Sequence, residues 1–425
     1  MHHNRVKLQR AIVAMSLVAS VALVGCATAP AGDEEVELTY AFWDQTQAAA
    51  MEETIANFEA ANPGITVKTQ VTPRTGDAYN TKLRTGVSSG TAPDVFWLGK
   101  LDYPTYVDGG AVLPIDAFVE ESGFDLSVFS EGSIEGASWK GELMGMPKDT
   151  DAYLLWYNRT LFEEAGVAEP TADWVQQDLI DASIALTDAD AEQYGFIAWP
   201  PANQYWFNTV IQEGGTVISA DGKSSGLDSP EARRGIQFWV DMLNEYKVSP
   251  SIQQMTDTNP EDMFQSGKVA MIYAGTWNVS LWKDTPYVQE NVAVAPMPKI
   301  KAEGGVGGGV TNVISASTDH PDAAWKFLEY LGSEEAAIIQ AEGGIVPAYT
   351  SAQHVWADAA PDSMNVDSVL PALTDASPYP TSVGVREWGD FGKAELLKVY
   401  EGKLDLETAL KNFAAEMDRV LAANN

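Results

Sequence analysis

Val36, Leu38, Tyr40 and Phe42 alternate with other residues at a period of two, which predicts a strand. Met51, Ile55 and Phe58 then recur at helical spacing, the stretch stops at Asn62-Pro63-Gly64, and Ile65-Thr66-Val67-Lys68-Thr69-Gln70-Val71 predicts a second strand. A helix over about 77–89, a strand over 94–98 and a helix near 103–109 continue the alternation. That order predicts an α/β fold with a mostly parallel sheet covered by helices on both faces. Beyond residue 150 the pattern turns mostly helical, with helices over 173–186, 229–246 and 259–266 and a strand over 269–274. Ser229-Pro230-Glu231 supplies a cap, an N1 proline and an N-terminal acid in that order. A strand near 291–298 leads into the glycine-rich 304–309, followed by a strand over 310–315, a helix over 319–331 and four closing helices. No internal repeat is visible, and no linker is long enough to cut the chain into separate beads.

The first 35 residues read differently. Arg5, Lys7 and Arg10 precede an apolar run from Ala11 to Val24 that is too short for a membrane span of about 20 residues. This is the pattern of a secretory signal peptide over 1–25. It ends in Leu23-Val24-Gly25-Cys26, which resembles a bacterial lipobox and implies a mature chain that starts at a lipid-carrying Cys26. Residues 26–35 are then a small, acidic tether. Cys26 is the single cysteine, so no internal disulfide and no thiolate metal site is expected.

Composition narrows the chemistry. The 425 residues carry a net charge of −34, which repels phosphate backbones and argues against a nucleic-acid partner. Of four histidines, two fall in the leader, leaving His320 in a helix start and His354 in a polar stretch, both read as surface residues. Neither G-x-S-x-G nor H-E-x-x-H occurs, so Ser-His-Asp and zinc hydrolases are disfavoured. No cofactor is expected. Thirteen tryptophans on an acidic, exported chain suit saccharides instead, whose C–H faces stack on aromatic rings while their hydroxyls need fixed polar partners.

The order of several short motifs resembles the family 1 extracellular solute-binding proteins, the maltose-binding-protein-like sugar-binding lipoproteins of bacterial ABC importers. The matching stretches are Phe42-Trp43-Asp44; Tyr79 to Leu83 with Gly90-Thr91-Ala92-Pro93-Asp94-Val95; Met146-Pro147 with Tyr157-Asn158; Leu161 to Gly166; Phe264 to Met271 with Gly275-Thr276-Trp277; and Ala323 to Leu328. Thr171-Ala172-Asp173-Trp174 departs from the family's usual helix start. The resemblance implies a type II periplasmic-binding-protein-like fold of two α/β lobes joined by a hinge, with ligand in the cleft. One lobe would comprise 36–148 and 297–331, the other 149–296 and 332–425. It also implies a monomer that hands its sugar to ABC permease subunits while anchored on the outer face of the cytoplasmic membrane.

Candidate binding residues are spread along the chain. Trp43 and Asp44 end the first strand, with Gln45 beside them. Trp97 ends a later strand, with Lys100 and Asp102 on the loop behind it; Trp97 could equally be core, and Asp102 could cap a helix. Asp149 and Asp151 follow Pro147 at the crossing between lobes, where ionised carboxylates can accept from adjacent sugar hydroxyls. The alternatives there are a calcium-like turn or a solvated loop. A second calcium look-alike, Asp188-Ala189-Asp190-Ala191-Glu192, lacks the glycine and distal glutamate of an EF-hand and reads as a solvated turn. The family places a sugar platform near Asn203, Tyr205, Trp206 and Phe207, and its motif marks Trp277 for stacking. Gly307-Gly308-Gly309 with Asn312 resembles a glycine-rich cleft segment, without the Gly-Lys-Ser/Thr of a phosphate loop. Arg386 and Trp388 complete the set. The competing class is a secreted glycoside hydrolase using Asp149 and Asp151 as acid and nucleophile. A binder of polyamine, iron or phosphoester on the same fold is disfavoured by the scarcity of clustered Tyr, His or Arg.

Overall fold

The strands, in chain order, are β1 Val36–Phe42, β2 Ile65–Val71, β3 Val95–Gly99, β4 Ser138–Trp139, β5 Glu142–Leu143, β6 Met146–Pro147, β7 Asp151–Asn158, β8 Tyr194–Phe196, β9 Val269–Gly275, β10 Val292–Ala295, β11 Val306–Gly308, β12 Val310–Ile314 and β13 Ser377–Pro378. They are seen in a computed structural model that describes residues 35–73, 77–199, 203–374 and 376–424, without the side chains of Asn203, Gln204 and Thr374. The leader and Cys26 lie outside the described residues. The residues from Val36 onward form one unit.

Two sheets organise it. The first runs β2-β1-β3-β12-β6. β1 is parallel to both β2 and β3, as the alternation predicts, but β12 is antiparallel to β3 and β6. Successive residues of this sheet feed two different cores. Leu38, Tyr40, Phe42, Val95 and Trp97 pack on one face, while Ala41, Phe96 and Leu98 pack on the other.

The second sheet runs β13-β11-β7-β9-β8, with β10 also paired to β7. It is built around β7, which is antiparallel to β9, β10 and β11. Periodicity gives no strand over 151–158, and the residues of β7 explain why. Tyr153, Leu155 and Tyr157 enter one core and Ala152, Leu154 and Trp156 the other, so the strand is apolar on both faces and shows no alternation.

The chain crosses between the sheets at Gly309, between β11 and β12. The expected division gives the whole of 297–331 to the first lobe. The pairing Gly307 to Ala152 and Gly308 to Asp151 instead puts β11 in the second sheet. A similar correction applies to the helix Glu334–Glu342, which follows residue 331 but lies against the first-sheet helix Ala48–Ala61, with Asn57 Nδ2 donating to Glu335 Oε1 at 3.3 Å. Of the closing segment, described residues form α-helices at Glu334–Glu342, Gln353–Ala359, Leu370–Thr374, Val385–Tyr400 and Leu406–Ala423, one more than the four expected. The last two pair along Trp388, Leu396, Phe413 and Met417 in the second-sheet core.

Candidate functional site

The site begins where three chain segments pass between the sheets. Lys148 N donates to Val310 O and Ala348 N donates to Lys148 O; Thr150 N donates to Val346 O, and Asp149 forms an isolated bridge with Pro347. Two of these backbones, at 149 and 309, lie this close because Gly309 carries no side chain. A Cβ there would sit 2.0 Å from the Asp149 carbonyl oxygen, and one on Gly307 would sit 2.5 Å from the Asp151 carbonyl oxygen and from Ala376 Cβ. The glycine track is thus a packing requirement of the crossing.

Both carboxylates expected at this crossing are there, and each is held by a lysine. Asp149 Oδ2 accepts from Lys148 Nζ at 2.9 Å, and its Oδ1 accepts from Val310 N at 2.6 Å. Asp151 accepts from Lys100 Nζ through both oxygens, at 2.6 and 2.9 Å. Burial pushes the Asp151 carboxyl above the usual carboxylate range, while Lys100 pulls it the other way. Lys100 is the residue that sequence reasoning places on its loop without a role. Its ammonium lies 4.8 Å from the Tyr379 ring, 5.5 Å from Trp277 and 5.7 Å from Tyr153, within reach of all three π-faces.

A cavity of about 570 Å³ opens over this group. Lys100, Asp149, Thr150 and Asp151 lie on its wall beside Gly307–Gly309, with Tyr103, Trp139 and Tyr379 as the aromatic rings and Ser377 and Thr381 as further polar groups. Contributions come from both sheets. Tyr379 and Trp139 are not among the sequence candidates, because nothing local distinguishes an aromatic that faces a cavity from one that faces a core. Tyr379 is fixed from behind by Phe207, with ring centroids 5.2 Å apart.

Trp277 is half-buried, with its ring edge-on to Tyr153 at 5.4 Å and folded back over Gly275, where a Cβ would lie 2.1 Å from the indole. That explains the Gly-Thr-Trp spacing. Trp43 is also half-buried, against Tyr79 and Trp97. Asp44 caps the short turn Gln45–Gln47, accepting from Thr46 N at 2.9 Å and Gln47 Nε2 at 2.7 Å, so its carboxylate is engaged locally. Gln45 is exposed.

Several candidates prove to be interior. Trp97 has no exposed surface; its Nε1 donates to Tyr40 Oη at 2.5 Å, which donates to Asn312 Oδ1 at 2.9 Å. Trp97 and Asn312 are cross-strand neighbours in the first sheet, and this buried relay, rather than a ligand, satisfies their polar atoms. Trp206, Phe207 and Trp388 are buried in the second-sheet core, with Trp388 Nε1 donating to Ser382 Oγ at 3.0 Å. Asn203 begins the helix Asn203–Gln212, but its side chain lies outside the described residues. Asp102 is buried against Arg386, which donates to both its oxygens from Nε and Nη2 at 2.7 and 2.9 Å. That pair joins two sequence candidates to each other. His320 and His354 are both exposed. The stretch from Asp188 to Glu192 is a turn in which Asp188 Oδ1 accepts from the backbone of Asp190 and Ala191.

Two sheets with separate cores, joined by three crossings and lining one cavity, define a two-lobed binding fold. The chain belongs to the family described as bacterial extracellular solute-binding protein, whose sequence pattern matches residues 43–338. It is similar to the solute-binding protein Lmo0181 of Listeria monocytogenes, solved in complex with cycloalternan. The two are 26% identical, with a TM-score of 0.83 over 91% of this chain and 99% of that one. A maltooligosaccharide ABC transporter solute-binding lipoprotein of Streptococcus pneumoniae (strain TIGR4) is 24% identical over 94% of both chains. The acarbose-binding GacH receptor of Streptomyces glaucescens, 21% identical, shares the fold with a TM-score of 0.79 over 92% of this chain and 100% of that one. This is a family of binding proteins, and the comparisons lend the glycoside-hydrolase alternative no support.

Proposed function

We propose that this protein captures a sugar or oligosaccharide between its lobes and delivers it to the membrane permease of an ABC importer. The observation that carries the reading is the cavity at the crossing, which combines carboxylates, an ammonium and aromatic rings contributed by both sheets. Rings offer faces to sugar C–H groups, and the fixed charges offer acceptors and donors to hydroxyls. The saccharides named with its relatives support the same class. Trp277, Trp43, Asp149 and Asp151 from the sequence, with Lys100, Tyr379 and Trp139 added by the geometry, are the residues that would meet it. The lobes divide along the two sheets, with 36–148, 310–331 and the helix Glu334–Glu342 in the first.

In this reading the mature chain starts at a lipid-modified Cys26, which anchors a monomer on the outer face of the cytoplasmic membrane. The relative from Streptococcus pneumoniae, named a lipoprotein, supports the lipid modification. A thermal-shift screen against cycloalternan, maltooligosaccharides and monosaccharides tests the ligand class, because a ligand selective for the native state raises its melting temperature. A saccharide that raises it at micromolar to millimolar concentration is expected. A screen in which all of them leave the melting temperature unchanged overturns the reading.

A further inference from the structure

The helix Glu131–Gly136 forms a wall of the cavity away from the charged crossing. Two pairs of its residues, Glu131 with Glu135 and Gly132 with Gly136, each stand four apart and line the cavity. Residues at that spacing are neighbours on a helix surface, so both pairs weaken the helix that carries them: like charges repel, and glycine gives up backbone freedom. Packing does not require either glycine. Neither has a positive φ, and a Cβ on either would meet nothing within 4 Å. What they supply is a bare stretch of backbone, beside two carboxylates, that a ligand can approach closely. Local rules broken without a structural return mark a functional surface.

Asp149 and Asp151 each have a lysine, but Glu131 and Glu135 do not. Both are exposed and, among the described residues, their side chains join no ion pair or hydrogen bond. Lys100 is the single cation among the described lining residues, and Asp151 holds it through both oxygens. Lys148 is held by Asp149 and Gln47, and Lys140, next to Trp139, by Asp108. An acidic ligand therefore finds its cations spent: taking Lys100 would strand an enclosed Asp151 carboxylate, and the glutamates would repel it. Resting on the saccharide reading, we propose that this helix sets the charge specificity of the site, admitting neutral saccharides and excluding acidic ones such as uronates and sugar phosphates. Sugar hydroxyls donate to the two glutamates, whereas an ionised ligand group carries their own sign. Within a cleft walled by protein, the field of a few unpaired charges is focused rather than spread through water.

Thermal shift and titration calorimetry on matched pairs test this: cycloalternan, maltotriose and glucose, each beside the same molecule with its free 6-hydroxymethyl groups oxidised to carboxylates. A neutral member that binds should do so at least about tenfold more tightly than its oxidised partner, as a like-charge juxtaposition requires. Glu131→Gln combined with Glu135→Gln should narrow that ratio several-fold, with native circular dichroism. Glu131→Lys combined with Glu135→Lys should tighten binding of the oxidised member. Both positions are exposed, and Glu135→Gln alone serves if a double variant does not fold. Oxidised members that bind the wild type as tightly as neutral ones, or a ratio that neither double variant moves, overturn the inference and leave the saccharide reading intact. A panel silent throughout overturns that reading and this inference with it.

Discussion

Lys148 Nζ lies 4.3 Å from the centroid of the Trp97 ring while donating to Gln47 Oε1 at 2.8 Å and to Asp149 Oδ2 at 2.9 Å. One buried lysine therefore ties the first-sheet core to the crossing between the sheets. A charge this enclosed is tolerable because a carboxylate, an amide oxygen and a ring face all meet it. The relationship also accounts for Trp97, whose other groups are spent on Tyr40 and on packing.

Trp97→Ala should accordingly behave as a core mutation. Loss of a fully buried tryptophan is expected to cost about 3–5 kcal/mol in chemical denaturation. A stable Trp97→Ala protein that has lost only its ligand would instead return Trp97 to the binding site.

Trp277 and Tyr379 should show the converse. Each alanine variant is expected to weaken binding of whichever saccharide the screen selects by about 1 kcal/mol or more, the scale of an aromatic contact. Titration calorimetry reads the affinity and circular dichroism the fold. Unchanged affinity in both variants would remove these rings from the site.

Gly309→Ala tests the crossing itself. The added Cβ would meet the Asp149 carbonyl oxygen at 2.0 Å and its carbonyl carbon at 2.9 Å, and these are backbone atoms that cannot swing away as a side chain can. A loss of about 1–3 kcal/mol is expected, as for other overpacked positions. Urea unfolding of the variant against wild type measures it.

Glu213 gives a pH signature. Burial raises its carboxyl, but hydrogen bonds and charge from Lys301 and Arg234 outweigh that and hold it below the usual value of 4.5. A carboxyl depressed in the folded state binds its proton more weakly there than in the unfolded chain. Its contribution is therefore complete above about pH 4.5 and is lost as pH falls through the lower folded value. Glu213→Gln should cost about 1 kcal/mol at pH 7, discounted because Arg234 and Lys301 are 44% and 55% exposed. The gap between variant and wild type should narrow as pH falls below 4.5; a gap that stays constant there would contradict the assignment.

Cys26→Ala should release the protein from the membrane fraction of an expressing bacterium or block its processing. Membrane association and maturation indistinguishable from wild type would refute lipid attachment at that residue.

The sequence by itself determined what depends on short-range order. Strand β1, the helices around Met51 and Ser229, the strand Val269–Gly275 and the Gly275-Thr276-Trp277 turn are legible because periodicity, capping and steric spacing act over a few residues. Family membership rests likewise on short motifs in order. Tertiary structure decided which aromatics are interior and which are left partly exposed, since Trp97 and Trp277 both follow apolar strand residues and differ only in what packs over them. It also decided that Asp151 is met by Lys100, 51 residues earlier, and Asp102 by Arg386, 284 residues later. A carboxylate's partner is set by which backbones the sheets bring together. β7 stayed hidden for the same reason: with a core on either face it needs no polar side, and so leaves no periodic trace in the chain.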